Sequence, residues 1–119
     1  MPKKVLLVIK SSPYGSLMAV EGLRIATALI AMDILPQLIF IDDGVYCLVK
    51  NHKPEDARLN SFYDRLKTLA DLIGLYVAKN SLAKRGLRIE DFDETYHVKT
   101  LSITEVAKLV AENESAIAF

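Results

Sequence analysis

The order of apolar and polar positions predicts strands and helices in alternation. Residues 4–10, KVLLVIK, are apolar throughout between two lysines, which is typical of a strand covered on both faces. A long helix is predicted over residues 17–32, because apolar residues recur there at helical spacing. They are Ala19, Leu23, Ala26 and Ile30. The short apolar run at residues 37–41 predicts a second strand, and residues 45–49 predict a helical turn after it.

The second half of the chain continues the same alternation. The polar residues 51–60 predict a loop. A helix is predicted after it, with an apolar face formed by Phe62, Leu66, Leu69 and Ile73. A third strand is expected within residues 72–78. A short helix is expected at 81–85, with Gly86 just beyond its end.

The last quarter predicts a strand, a helix and a final strand. Residues 95–100 are predicted to form a strand. Ser102 and Glu105 have the spacing of a capping box and open the last helix. Its buried stripe is predicted from the helical period as Ile103, Val106, Ala107 and Val110. Residues 116–119, AIAF, are expected to form an edge strand or to dock in an interface.

This succession predicts the fold class: an α/β protein with three α/β/α layers and a five-stranded, mainly parallel sheet. Residues 1–119 are expected to form a single domain. The strand at residues 4–10 is expected inside the sheet, because both of its faces are apolar.

Charge and composition narrow the functional classes. Fifteen basic and fifteen acidic residues give a formal net charge of zero, so direct nucleic-acid binding is not expected. A single cysteine excludes a disulfide framework within the chain and a cysteine-rich metal site, and it fits a cytoplasmic location. No apolar run approaches the roughly eighteen residues needed to span a bilayer, so no membrane association is expected.

Residues 37–49, QLIFIDDGVYCLV, hold the main candidate site. A strand breaks there at Asp42, Asp43 and Gly44, where glycine can take backbone angles closed to other residues, and Cys47 follows. Ligands of open α/β sheets gather at the carboxyl ends of the strands. Asp42 and Asp43 could hold a divalent metal, but no third carboxylate has suitable spacing, and Asp43 capping the following turn is the favoured interpretation. No metal is therefore expected.

Three further features of the sequence are weaker evidence for a functional site. Residues 11–15 form a loop after the first strand but lack the glycine spacing of a phosphate cradle, so no cofactor is expected. His52 is predicted in a solvated loop, and His97 within a strand as a structural histidine. A Cys47–His52 pair is geometrically possible, although nothing in the sequence requires it.

Several motifs together carry a family resemblance. They are SSPYG, VEGLRIATAL, FIDDGVYCLV, KP and NSLAKRGL, in this order and spacing along nearly the whole chain. The sequence resembles the DsrE/DsrF-like sulfur-relay family, and within it the DsrF/TusC branch. The resemblance implies an α/β/α domain that assembles with DsrE/TusD-like and DsrH/TusB-like subunits, or with itself, to pass persulfide sulfur toward tRNA thiolation or in sulfur metabolism.

The same resemblance bears on catalysis. The sulfur-carrying cysteine of the DsrE/TusD subunit follows the third strand, and the matching positions here, residues 77–80, hold Val, Ala, Lys and Asn. The first hypothesis is therefore a relay subunit that is not catalytic alone. The second is a persulfide carrier that uses Cys47, alone or as a homo-oligomer. A flavodoxin-like small-molecule binder is a third option that no loop specifies.

Overall fold

Five parallel strands form one sheet in the computed structural model, which describes residues 4–13, 17–49 and 57–119. The strands are β1 (Val5–Ile9), β2 (Gln37–Phe40), β3 (Leu75–Ala78), β4 (Lys99–Leu101) and β5 (Ser115–Ala118). Their spatial order is β4-β3-β2-β1-β5, and every neighbouring pair is parallel. The fold-class prediction is confirmed. So is the interior position of β1, which pairs with β2 on one side and β5 on the other.

Helices cover both faces of the sheet. They are α1 (Met18–Ala31), α2 (Ala57–Leu72), α3 (Lys79–Lys84) and α4 (Ile103–Glu112). The chain steps outward from β1 to β4 and then returns past β1 to form β5. Since crossovers are right-handed, the two directions of travel place their helices on opposite faces, with α1 and α2 on one and α4 on the other.

Alternate residues of β1 point into two separate cores. Leu7 and Ile9 pack in the larger core, which lies beneath α1 and α2. Leu6 packs in the smaller core beneath α4 with Ile39 and Leu109. Full burial of each such side chain contributes about 1.5–3 kcal/mol, which is why a strand with both faces apolar belongs inside the sheet.

The predicted apolar stripe of α4 is correct at Val106, which packs against the smaller core, and wrong at Ile103, Ala107 and Val110. Leu109 is the buried residue of this helix and Val106 is half-buried, whereas Ile103 is 68% exposed and Val110 is 43% exposed. Within the described residues α4 is the one α-helix on this face, and no second helix covers its flanks. Much of the apolar surface of α4 therefore stays in contact with solvent.

The strand predicted at residues 95–100 begins later. A 3₁₀ turn, Glu94–Tyr96, occupies its first half, and β4 starts only at Lys99. Asp93 caps this turn by accepting a hydrogen bond from the Thr95 N–H at 3.0 Å. His97 ends the turn with a φ of 50° and an exposed side chain, so the interpretation of His97 as a structural strand residue is wrong.

Candidate functional site

Four strand ends meet along the carboxyl edge of the sheet. Ser11 follows β1, a 3₁₀ helix (Asp42–Leu48) follows β2, α3 follows β3 directly, and Ser102 follows β4. This is the edge at which parallel α/β sheets place their chemistry. The residues singled out from the sequence, Asp42, Asp43, Gly44 and Cys47, all lie in the 3₁₀ helix after β2.

Gly44 is required for close approach, and Asp42 takes the unusual backbone angle. A Cβ on Gly44 would overlap the carbonyl group of Ile9 at the end of β1. Asp42 has a φ of 49°, and Gly44 is not among the positive-φ residues of the described chain. The expectation that Gly44 supplies special backbone angles is therefore wrong.

The side chain of Asp43 connects the 3₁₀ helix after β2 with the end of α3, which follows β3. Its Oδ1 accepts hydrogen bonds from Nε and Nη2 of Arg85 at 3.2 and 3.1 Å, whereas no side chain caps the start of the 3₁₀ helix. The capping interpretation of Asp43 is thus wrong. Next to this pair, the buried Ser81 accepts a hydrogen bond on Oγ from the Asp42 N–H at 3.0 Å.

The roles of Ser81 and Arg85 were not found from the sequence. Both residues lie in the NSLAKRGL motif, so a signal was present, but the partners are about forty residues away along the chain. Through these two contacts the motif supports the conformation of the turn after β2 from the neighbouring strand end.

Cys47 is completely buried in the larger core. Its thiol donates a weak hydrogen bond to the carbonyl oxygen of Ser11, with an Sγ–O distance of 3.6 Å. Burial raises the pKa of the Cys47 thiol far above its usual range, and the backbone hydrogen bond opposes this only weakly. At neutral pH the group is an apolar thiol, without the thiolate character that nucleophilic cysteines have.

Tyr96 is buried in the same core as Cys47. Burial raises the pKa of Tyr96 to about 12, and the negative charge on Asp93 adds to the shift. Tyr96 was not predicted from the sequence to lie near the candidate site. Phe92 is buried in the same core and forms a β-bridge with Val49.

The turn after β3 carries polar groups and no thiol. Lys79 and Asn80 are exposed at the start of α3. At the next strand end, Ser102 and Glu105 form the predicted capping box. Hydrogen bonds from the Ser102 main chain and side chain lower the pKa of Glu105, and the charge of Lys79 contributes less.

Some sequence signals are not tested by the geometry. His52, with its possible pairing to Cys47, and residues 14–16 of the first loop lie outside the described residues. Among the described residues, no cluster of three or more His, Cys, Asp or Glu side chains could hold a metal ion. In the same residues, no helix is both long and apolar enough to cross a membrane.

Fold and site together define an α/β protein with a parallel sheet, a buried lone cysteine and a polar carboxyl edge. A model of the DsrE/DsrF-like family matches residues 3–119, and the chain belongs to that family. The intracellular sulfur oxidation protein DsrF of Allochromatium vinosum is 27% identical over 98% of this chain and 96% of its own length. Protein TusC of Buchnera aphidicola is 28% identical over 98% and 99%. These relatives confirm the resemblance to the DsrF/TusC branch.

A solved structure has the same architecture. The crystal structure of the ychN protein from E. coli superimposes with a TM-score of 0.78 over the full length of both chains, at 21% identity. At that identity the match shows the fold alone. It agrees with the order and direction of the strands described above.

Proposed function

We propose that this chain is a subunit of a sulfur-relay assembly and that it acts as a partner of the thiol-bearing chain, not as the sulfur carrier. Family membership and the likeness to DsrF and TusC support a place in such an assembly. The complete burial of Cys47 supports the non-carrier role. As the DsrF relative is named an intracellular protein, we place this chain in the cytoplasm as well.

The chemistry of persulfide transfer explains why burial matters. The acceptor thiolate attacks the outer sulfur of the donor persulfide, the donor's S–S bond breaks, and the donor leaves as a thiolate. The acceptor must therefore be both deprotonated and reachable. Cys47 is neither, since its side chain has no exposed surface and its pKa is raised.

The assembly we propose includes DsrE/TusD-like and DsrH/TusB-like chains, with the working thiol on the DsrE/TusD-like neighbour. The sulfur goes to tRNA thiolation or to another step of sulfur metabolism. In such an assembly this chain contributes the surfaces around its carboxyl edge, where the Asp43–Arg85 pair and Lys79 are available to a partner.

Reconstitution with those partner chains tests the proposal. Wild type, Cys47→Ser and Cys47→Ala should assemble equally, as judged by co-elution on size exclusion, and should support equal rates of sulfur transfer. Cys47→Ala separates loss of the sulfur atom from the cost of burying a hydroxyl. If both variants assemble but sulfur transfer is lost, Cys47 is a carrier and the proposal is wrong. If the wild type does not co-elute with these partners, its placement in the assembly is wrong.

A further inference from the structure

We propose that the outer edge of β5 pairs with β5 of a second copy of this chain. The two strands run antiparallel across a two-fold axis, so that one sheet continues through both copies. This inference goes beyond the function proposed above and does not depend on it. It is based on the backbone of β5, on its exposure and on the residues at its centre.

The hydrogen bonds of β5 leave every second residue facing outward. The Ser115 N–H donates to the Lys4 carbonyl at 3.3 Å and the Phe119 N–H to the Val8 carbonyl at 2.7 Å. A parallel strand bonds its neighbour through alternate residues. The N–H and C=O groups of Ala116 and Ala118 therefore point away from β1, and within the described residues they have no hydrogen-bond partner on another segment.

Nothing in β5 protects this edge. All four of its residues are exposed, and they are Ser, Ala, Ile and Ala, without charge or proline. Soluble proteins commonly prevent an edge strand from pairing with another molecule by making the strand short or by placing lysine or proline on it. The opposite edge follows that rule, because β4 has three residues and begins with the exposed Lys99.

The edge is also held in place. Phe119 extends the pairing beyond β5 by accepting a hydrogen bond from the Lys10 N–H at 2.9 Å. Its side chain lies against Gly22 of α1, where a Cβ would come within 3.3 Å of the ring. A strand fixed in this way loses little further entropy on pairing.

A second copy of β5 fits this edge. In an antiparallel arrangement Ala116 lies opposite Ala118 of the partner subunit and Ala118 opposite the partner's Ala116, and each pair exchanges its outward hydrogen bonds. Ile117 then lies opposite the partner's Ile117 in a non-hydrogen-bonded pair, where side chains come closest. Ile117 is 45% exposed in one copy, so pairing removes apolar surface from water. The four residues of β5 carry no charge, so none of them brings like charges together.

Two matched charge variants test the location. Ile117→Lys should weaken self-association at least about tenfold, since lysine at an edge opposes pairing. Ile103→Lys places the same charge on an exposed isoleucine of α4, and it should leave self-association unchanged. Both are measured by sedimentation velocity over a concentration series, with thermal unfolding as a check of folding. A monomeric wild type, or a loss of the dimer in Ile103→Lys, overturns the proposal.

Cysteine crosslinking tests the register. Ile117→Cys should form a disulfide-linked dimer under a mild oxidant, because Cα atoms of a non-hydrogen-bonded pair lie about 4.5 Å apart. Ala116→Cys should not, because its counterpart in the partner is a diagonal neighbour about 7–8 Å away. The native Cys47 is buried and does not compete. Equal crosslinking of both variants, or crosslinking of Ala116→Cys alone, contradicts the arrangement.

Discussion

The Cα of Gly44 lies directly against the carbonyl oxygen of Ile9. The contact joins the start of the 3₁₀ helix after β2 to the end of β1, and no side chain fits between them. The Ile41 N–H donates to the same Ile9 carbonyl at 3.0 Å. This close approach brings Cys47 beneath the loop after β1, where its thiol contacts Ser11.

Gly44→Ala should destabilise the protein by about 3 kcal/mol, because the added methyl must displace main chain and cannot be accommodated by a side-chain rotation. Gly86→Ala is the matched control. Gly86 has a φ of 65° and open space around its Cα, so its cost should be about 1 kcal/mol, from the left-handed conformation alone. Urea unfolding of both variants measures the difference. Equal losses would show that the contact with Ile9 is not the constraint.

Ser81→Ala should lower the free energy of unfolding by about 1–2 kcal/mol, because it leaves the Asp42 N–H without its acceptor beside a buried site. The hydroxyl of Thr68 provides a comparison. It donates to the Asp64 carbonyl at 3.1 Å on an exposed helix surface, so Thr68→Ala should cost less. If Ser81→Ala lowers the free energy of unfolding by no more than Thr68→Ala does, Ser81 does not stabilise the turn.

The Asp43–Arg85 ion pair should contribute little to stability. The side chain of Asp43 is 63% exposed, and solvent screens such pairs to about 0–1 kcal/mol. A double-mutant cycle with Asp43→Asn and Arg85→Gln should give a coupling of about 0.5 kcal/mol, decreasing in high salt. A coupling that is several times larger and independent of salt would mean that the pair is shielded from solvent.

Stability should fall at alkaline pH. The pKa of Tyr96 rises from 10.0 to about 12 on folding, so the folded state holds this proton where the unfolded state releases it. The contribution is complete below pH 10 and decreases as the pH rises to about 12. Cys47, whose pKa is also raised, acts in the same direction. Melting temperatures across this range should fall less steeply for Tyr96→Phe. An unchanged slope would assign the effect to other groups.

The features that the sequence predicts well depend on local patterns. The double-sided apolar run of β1, the stripe of α1 formed by Ala19, Leu23 and Ala26, and the Ser102–Glu105 capping box are each determined by neighbouring residues. The edge strand β5 is confirmed as well. In these cases the local structure that neighbouring residues favour is also the one that the folded chain adopts.

The features that it misses depend on partners distant in the chain. Helical periodicity could not show that α4 is the one described helix on its face, so it assigned Ile103 to the core instead of Leu109. Asp43 is of a residue type that commonly caps helices, but its partner is the side chain of Arg85, at the end of α3. The role of Gly44 depends on Ile9, which belongs to another strand. In each case the partner is distant in the chain, so the pattern of neighbouring residues does not identify it.

The most direct test of the central claim is mass spectrometry of the intact protein after incubation with a persulfide donor. Wild type is compared with a Cys47→Ala variant carrying Asn80→Cys, which places a thiol on the exposed start of α3. Asn80→Cys should gain the mass of a sulfur atom, showing that the donor is active, while the folded wild type stays unmodified until it is denatured. A wild type that takes up sulfur at Cys47 in the folded state, as fast as the exposed thiol does, would contradict the account.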